Sequence, residues 1–355
     1  MLNPIRNCFV SIAVLTAGSG LGACSSEPSY QSIQGATMGT YYRVQYKREG
    51  GCFSGRTDVD GLLLAFNQSV STYIKDSEIT LFNNSVGYGF YPVSSRFGGV
   101  LETAIAVWDQ SGGAFDVTVG PLVNLWGFGP VDSNAVPASA VPASAAQAEA
   151  FASVGMQHLE LLRTYEGSTE IFSVRKNVPD LYLDFSALAK GLGVDEIAQS
   201  LQALGCANFM VDIGGEVRAH GLSPKARPWR IGIEAPDATR RGIIQRVLQL
   251  TNQSVATSGD YRNFRVVEGV RVDHVIDPRS GKPADNSVVS VTVVHEQAMW
   301  ADAYATTLMV LGADAGMQLA EKLSLSVLVI TKTSDDRFVE RYTPSMKQFF
   351  LEFPE

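Results

Sequence analysis

The sequence predicts a fold of mixed helices and strands, and two kinds of periodicity predict it. Apolar residues recur at helical spacing over 58–71, 97–110 and 299–311, which gives each stretch one buried face. They alternate singly at Tyr42, Val44 and Tyr46, at Phe209, Val211 and Ile213, and at Trp229, Ile231 and Ile233, which marks half-buried strands. Composition is the third observation. The 355 residues are 45% hydrophobic and 18% charged, apolar enough to exclude disorder for most of the chain.

The first 23 residues stand apart from that fold. Arg6 gives a positive start, Phe9–Leu15 form an apolar run, and Leu21-Gly22-Ala23-Cys24 follow. This is the make-up of a secretory signal, and the run is too short to span a bilayer. Leu-Gly-Ala-Cys resembles a lipoprotein lipobox, which implies that Cys24 is lipid-modified and becomes the new N-terminus. The alternative is a plain signal peptide with an incidental Cys. Ser25, not Asp, follows the Cys, which favours the outer membrane where sorting runs as in enteric bacteria. Removing 23 of 355 residues leaves 332, room for one large domain or two smaller ones. Residues 24–34 read as a polar tether, and residues 35–355 as the folded part.

Net charge is −8 and the pI about 5.1, which argues against nucleic acid as a partner. Of four Cys, Cys8 leaves with the signal and Cys24 is the acylation candidate. Cys52 and Cys206 remain and can pair in an oxidising compartment, but two Cys do not make a framework. There is no Cys/His cluster at zinc spacing, no dinucleotide glycine fingerprint and no Walker sequence.

Gly35-Ala-Thr-Met-Gly-Thr40 enters the first strand, Tyr41–Tyr46, through a Gly turn. Met38, between small residues, suits a sliding contact with a flat ring or plain packing. Residues 58–71 place Val59, Leu62, Leu63, Phe66 and Val70 on one helical face. Tyr73 can stack on an aromatic ligand or simply pack, and Ser77-Glu78 starts a short helical turn. Residues 97–110 are helical again, stopped by Ser111-Gly112-Gly113. Phe115, Val117 and Val119 alternate with Asp116 and Thr118, which predicts a strand that Gly120-Pro121 breaks. With Gly127-Phe128-Gly129, this mix suits a ring lying against backbone, and it equally suits tight packing. Val136-Pro-Ala-Ser-Ala140 repeats at once as Val141-Pro-Ala-Ser-Ala145. Within 131–146 this reads as an exposed low-complexity loop without chemistry. Residues 146–154 read as a short helix and 159–174 as a hairpin about Glu166-Gly167.

The stretch Asp184-Phe-Ser-Ala-Leu-Ala-Lys190-Gly191 is central. Leu181–Leu183 read as the end of a buried strand. Ser186 reads as the cap of a helix running to Leu204, with Gly205 as its stop. Asp184, Ser186 and Lys190 then lie where a strand hands over to a helix N-terminus. Its unpaired N–H groups and partial positive charge suit a phosphate, and its backbone carbonyls can reach a cation. An ordinary capped helix with a surface Lys gives the same pattern.

Farther on, residues 257–264 read as a turn rich in hydrogen-bonding groups. Residues 272–281 place His274 and Ile276 on one strand face, followed by a turn. A lone strand His is more often structural than catalytic. Val288–Val294 read as a buried strand, and residues 299–311 as a helix with Trp300, Tyr304, Thr307, Leu308 and Leu311 inward. Asp302 and Thr306, four residues apart, share another, Ala-rich face. A carboxylate and a hydroxyl together suit a hard cation such as Mg²⁺; a hydrogen-bonded Asp–Thr pair is the alternative. Strands at 327–331 and 337–342 and an aromatic patch at Phe349 and Phe350 close the chain.

The motifs, in order, are Gly-Ala-Thr-Met-Gly-Thr, Ser-Thr-Tyr…Ser-Glu-Ile, Ala-Phe-Asp-Val-Thr-Val-Gly-Pro-Leu, Asp-Phe-Ser-Ala-Leu-Ala-Lys-Gly, Asp-Ile-Gly-Gly-Glu, Thr-Ser-Gly-Asp-Tyr, His-Val-Ile-Asp-Pro-Arg-Ser-Gly and Ala-Asp-Ala-Tyr-Ala-Thr. Together they resemble the FAD:protein FMN transferase family, the ApbE family, over nearly all of the mature chain. The resemblance implies an α+β fold. It would be a single catalytic domain of mixed and antiparallel sheets packed with helices, with FAD in a cleft between sub-lobes. It implies Mg²⁺ as cofactor and FAD as substrate. The FMN moiety passes to a Thr or Ser hydroxyl of a partner protein, and AMP is released. The implied partners are flavin-acceptor subunits of membrane electron-transfer complexes, of the sodium-pumping quinone reductase or Rnf type. The implied location is the periplasmic side of a bacterial membrane, held by the lipid.

Family roles carry over where the motifs match. Met38, Tyr73, Ala114, Phe115 and Asp116 would contact the flavin side, and Asp184, Lys190 and Ile276 would also contact FAD. The metal would be held by the backbone oxygen of Ala187 and the side chains of Asp302 and Thr306. His274 is the candidate for proton handling, with Asp302 as its rival. Two other classes stay open on the same residues. One is an FAD pyrophosphatase, with water as the acceptor. The other is a flavin-binding lipoprotein, which would need no metal pair.

Overall fold

β1 (Tyr30–Thr37) and β2 (Thr40–Lys47) pair antiparallel about a two-residue turn. Both turn residues, Met38 and Gly39, have positive φ, 49° and 70°, as a tight hairpin requires. In the computed structural model the described residues are 30–48, 51–129, 141–237, 242–259, 264–267, 270–284 and 286–352. The predicted leader, Cys24, residues 25–29 of the tether, residues 136–140 of the duplication and residues 260–263 lie outside them; residues 30–34, predicted as tether, are strand, because they pair with β2.

α1 (Arg56–Val70) buries Val59, Leu63, Phe66 and Val70. α2 (Glu78–Asn83) is capped by Ser77, whose hydroxyl accepts the Thr80 N–H. The short strand β3 (Tyr91–Val93) leads to α3 (Ser95–Ser111), which Ser94 caps and Gly112 ends at φ 62°. The predicted strand at 115–119 is not one. Asp116 Oδ1 accepts both the Thr118 N–H and its hydroxyl, and Oδ2 accepts the Met156 N–H. A carboxylate that binds its own backbone two residues on makes a turn, and it overrides the alternation. α4 (Gly120–Leu125) and α5 (Ser144–Ala152) follow; α5 starts inside the predicted low-complexity loop. β4 (Leu159–Glu166) and β5 (Thr169–Lys176) form the expected hairpin, with β3 on the other side of β5.

Leu181–Leu183 run into α6 (Ser186–Ala203) without joining a sheet. The Asn83 side chain takes the place of a neighbouring strand. Its Oδ1 accepts the Leu183 N–H at 2.8 Å and its Nδ2 donates to the Leu183 carbonyl at 2.9 Å. Ser186 is the first helical residue and not the cap; Asp184 Oδ1 accepts its N–H at 2.8 Å. β6 (Phe209–Ile213), β7 (Glu216–His220), β8 (Trp229–Glu234), β9 (Ile244–Leu250) and β10 (Ser254–Gly259) come next. Residues 257–259, predicted as turn, finish β10, because its pairing with β15 runs through Gly259. β11 (Phe264–Val267), β12 (Val270–Asp273), β13 (Ile276–Asp277) and β14 (Lys282–Pro283) are short. His274 and Ile276 therefore do not share a strand; the chain breaks pairing between them. β15 (Val288–His295), α7 (Ala298–Lys322), β16 (Ser326–Lys332) and β17 (Phe338–Tyr342) close the fold. The first helical part of α7 ends at Leu311 as predicted: Gly312 is non-helical (φ 77°), and a second helical part continues across this kink to Lys322.

The main sheet is antiparallel throughout, in the order β1-β2-β6-β7-β10-β15-β16-β17. Both its faces are covered. On β16, Val327 and Val329 join the core that α3 and α7 share, and Leu328 and Ile330 join the core with the β8–β9 hairpin. Burial on two sides explains the continuous Val run of β15. Cys52 and Cys206 are bonded, tying the loop after β2 to the end of α6.

Candidate functional site

The site is built where α6 crosses α7. Gly191 permits the crossing, since a Cβ there would lie 2.3 Å from the Ala298 carbonyl oxygen. Asp195 fixes it, accepting the Ala298 and Met299 N–H groups at 2.9 Å each. Asp302, one turn into α7, is thereby held against α6. Its Oδ2 accepts the Gly191 N–H at 3.1 Å, a group whose regular helical partner would be the Ala187 carbonyl. Asp302 is only 2% exposed.

Glu216 enters from the sheet. Gly214 and Gly215, both at positive φ, turn β6 into β7, and Asp212 Oδ1 holds the Gly215 N–H at 3.0 Å. Glu216 follows immediately and is 3% exposed. The Lys190 ammonium lies 3.7 Å from Glu216 Oε1 and 3.8 Å from Asp302 Oδ1. Glu216 Oε2 is buried without a hydrogen-bond partner. Burial pushes the Glu216 carboxyl up to about 8, against the opposing pull of Lys190. Burial also raises the Asp302 carboxyl, and the two carboxylates together raise the Lys190 ammonium. The Thr306 hydroxyl, one turn beyond Asp302, lies 3.3 Å from the Ser258 hydroxyl of β10.

A cavity of about 720 Å³ opens over these groups. Tyr73, Ala114, Phe115, Asp116, Asp184, Ala187, Lys190, His274, Ile276, Asp302 and Thr306 all line it. Sequence segments up to 233 residues apart thus meet at one place, counting from Tyr73 to Thr306. Met38 is absent from the lining. It is half-buried instead between the core that α3 and α7 share and the one that β1, β2 and β6 form with α1 and α6, and its Cε would meet a Gly193 Cβ at 2.9 Å. Tyr73 stands at the rim, 71% exposed. Asp184 and Asp116 are buried, and burial raises both carboxyls. Their oxygens bind backbone N–H groups, so they shape the wall as well as line it. His274 is half-buried, with Nδ1 3.1 Å from Asp273 Oδ1.

Sequence reading gave no role to Glu216 or Ser258, although both lie inside quoted motifs. The signal was available for Glu216: a carboxylate directly after Gly-Gly, at the start of a strand, is placed by a turn that only glycine makes easily. Nothing along the chain showed that Lys190 would face two carboxylates.

The oxygen groups fit a hard divalent cation. Asp302 brings a carboxylate, Thr306 and Ser258 hydroxyls, and Ala187 a nearby carbonyl. Among the described residues no group of three or more His, Cys, Asp or Glu could hold a metal ion.

Comparison with known proteins agrees with this architecture. The model of the ApbE family matches residues 38–329. The FAD:protein FMN transferase of Vibrio cholerae is 42% identical over 97% of this chain and 99% of its own length. That of Haemophilus influenzae is 39% identical, over 97% and 98%. Among solved structures, the flavin transferase ApbE from Vibrio cholerae superposes with a TM-score of 0.80, covering 90% of this chain and 99% of its own. The apo flavinyl transferase ApbE of Pseudomonas stutzeri gives 0.78 at 34% identity, covering 90% and 96%. On sequence, fold and coverage together, the chain belongs to the ApbE family.

Proposed function

We propose that this chain is an Mg²⁺-dependent enzyme that moves FMN from FAD to a Thr or Ser hydroxyl of a partner protein, with AMP released. The observation that carries the reading is the meeting of two chemistries in one cavity. Tyr73, Phe115 and Ile276 offer ring and apolar surface, while Lys190, Asp302 and Thr306 offer a cation and oxygen ligands. A flavin joined to a pyrophosphate needs both. The names of the relatives support the same activity.

Asp302, Thr306 and the Ala187 carbonyl would hold the metal, which when bound neutralises the pyrophosphate and polarises the phosphorus. Lys190 supplies a further positive charge to the phosphates. His274 takes the proton of the acceptor hydroxyl: a carboxylate at Nδ1 favours the tautomer whose Nε2 lone pair can accept. Asp302 is a poorer base, since one oxygen already accepts the Gly191 N–H and the other faces Lys190. The hydroxyl oxygen then forms a new ester bond to the FMN phosphorus, the anhydride bond breaks, and AMP carries off the electron pair.

The acceptors we propose are flavin-bearing subunits of membrane electron-transfer complexes, of the sodium-pumping quinone reductase or Rnf type. We also propose that Cys24 carries lipid and holds the enzyme on the periplasmic side of the membrane. The Cys52–Cys206 bond supports an oxidising compartment, and no helix among the described residues is long and apolar enough to cross a bilayer.

The test uses the chain from Ser25 with FAD, Mg²⁺ and an acceptor subunit. Flavin fluorescence is read on the acceptor band of a denaturing gel, with AMP measured alongside. A fluorescent band lost on adding EDTA is the expected result. AMP without a labelled band across a panel of acceptors would mean hydrolysis. Bound FAD with neither signal would leave a flavin-binding protein.

A further inference from the structure

Asp302 has little to offer a cation as it stands. Oδ2 accepts the Gly191 N–H at 3.1 Å, and Oδ1 faces the Lys190 ammonium at 3.8 Å. A divalent ion approaching Oδ1 meets a positive charge already there. Like charges at such a separation in a buried site repel strongly. Lys190 must therefore move aside without leaving the cavity, where its charge would serve the phosphates.

Glu216 provides the place to go. Its Oε1 already lies 3.7 Å from the same ammonium. Its Oε2 is buried and unpartnered, and an ammonium has three N–H donors to give. The Glu216 backbone is anchored. It begins β7, its backbone is paired with Ile213, and the preceding turn is fixed through Asp212. By contrast Lys190 sits on a flexible four-carbon stem.

We propose that Glu216 is a positioning residue that draws Lys190 off Asp302 and so frees Oδ1 for the divalent cation. In the metal-free protein the ammonium is shared by the two carboxylates. With the cation on Asp302, Lys190 belongs to Glu216 alone and stays charged beside the phosphate site. This rests on the cation reading of Asp302 and Thr306 given above.

The experiment measures Mn²⁺ binding by calorimetry and by the paramagnetic resonance of free Mn²⁺, with no FAD and no turnover. The chain from Ser25 is compared with Glu216→Gln, Lys190→Met and the double variant, and thermal unfolding checks each fold. Glu216→Gln should weaken Mn²⁺ binding roughly tenfold, because Lys190 then rests on Asp302. Lys190→Met in the Glu216→Gln background should restore affinity to wild type or better, since the competing charge is gone. A loss of binding in Glu216→Gln that Lys190→Met does not repair would overturn the proposal and leave Glu216 a ligand or a structural residue. Unchanged affinity in Glu216→Gln would overturn it too. If wild type binds no Mn²⁺ while Asp302→Ala behaves identically, the cation site itself fails, and the proposal falls with it.

Discussion

Asp195 and Ala298 join the two helices on which the site depends. Asp195 Oδ1 accepts the Ala298 N–H at 2.9 Å, and Oδ2 accepts the next N–H, that of Met299, at the same distance. A side chain from the middle of α6 thus serves as the cap that α7 lacks in its own Gln297. Replacing Asp195 by Ala should cost about 1–3 kcal/mol, the range for orphaning buried N–H groups. Asp195→Asn, which keeps one acceptor, should cost less. Urea unfolding would measure both, and an Ala variant as stable as wild type would remove the cap from this account.

Gly191 makes a stricter demand, because what its Cβ would strike is backbone. The Ala298 carbonyl carbon and oxygen lie 2.5 and 2.3 Å from the ideal position. Gly191→Ala should pry α6 from α7, at about 1–3 kcal/mol for overpacking, and should carry Asp302 away from Lys190. Reduced stability together with weaker Mn²⁺ binding is the expected pair. A stable variant with normal binding would mean that the helices separate harmlessly.

Glu216 gives the pH dependence a sign. Its carboxyl is raised from 4.5 to about 8, chiefly by burial. The folded form then holds the proton more tightly than the unfolded chain does. The resulting stability is complete below about pH 4.5 and is lost as pH rises through about 8. Metal-free wild type should therefore lose stability relative to Glu216→Gln across that window. Denaturation midpoints of the two proteins that run parallel would show that Glu216 ionises in the fold as it does in water.

Tyr73 separates function from folding. At 71% exposed it can hold up little of the core, yet it stands at the rim of the cavity. Tyr73→Ala should leave stability within about 0.5 kcal/mol and weaken FAD binding roughly tenfold, as the loss of one aromatic contact does. Fluorescence titration of FAD would show it, and an unchanged dissociation constant would take the ring off the ligand.

The Cys52–Cys206 bond closes a separation of 154 residues. Loop-closure entropy for so long a loop predicts that reduction costs about 5 kcal/mol. Thermal unfolding with and without a reductant, and of Cys206→Ser, should agree. Equal stability after verified reduction would show that the unfolded chain gains nothing from its freedom.

Much of the fold was written in local pattern. Helices α1 and α3 follow from 3.6-residue periodicity, and the ends of α3 and α6 from the stops Gly112 and Gly205. The β4–β5 hairpin follows from Glu166-Gly167. At two of the places where local pattern misled, one polar side chain had taken over backbone partners. Asp116 folds 115–119 into a turn, and Asn83 stands in for the strand expected beside Leu183. Such partners lie up to 100 residues away, beyond the reach of any window.

The sequence by itself determined the family, most of the element types and the residue types of the site, because motif order, periodicity and capping are carried by neighbours along the chain. Of the residues it named for the ligand, the metal and the proton, all but Met38 line the cavity. Only the tertiary structure decided that Met38 faces inward, that Cys52 meets Cys206, and that Lys190 lies between Glu216 and Asp302. Those are distances between segments, set by how closely two helices and a sheet turn can approach. No property of a single segment encodes them.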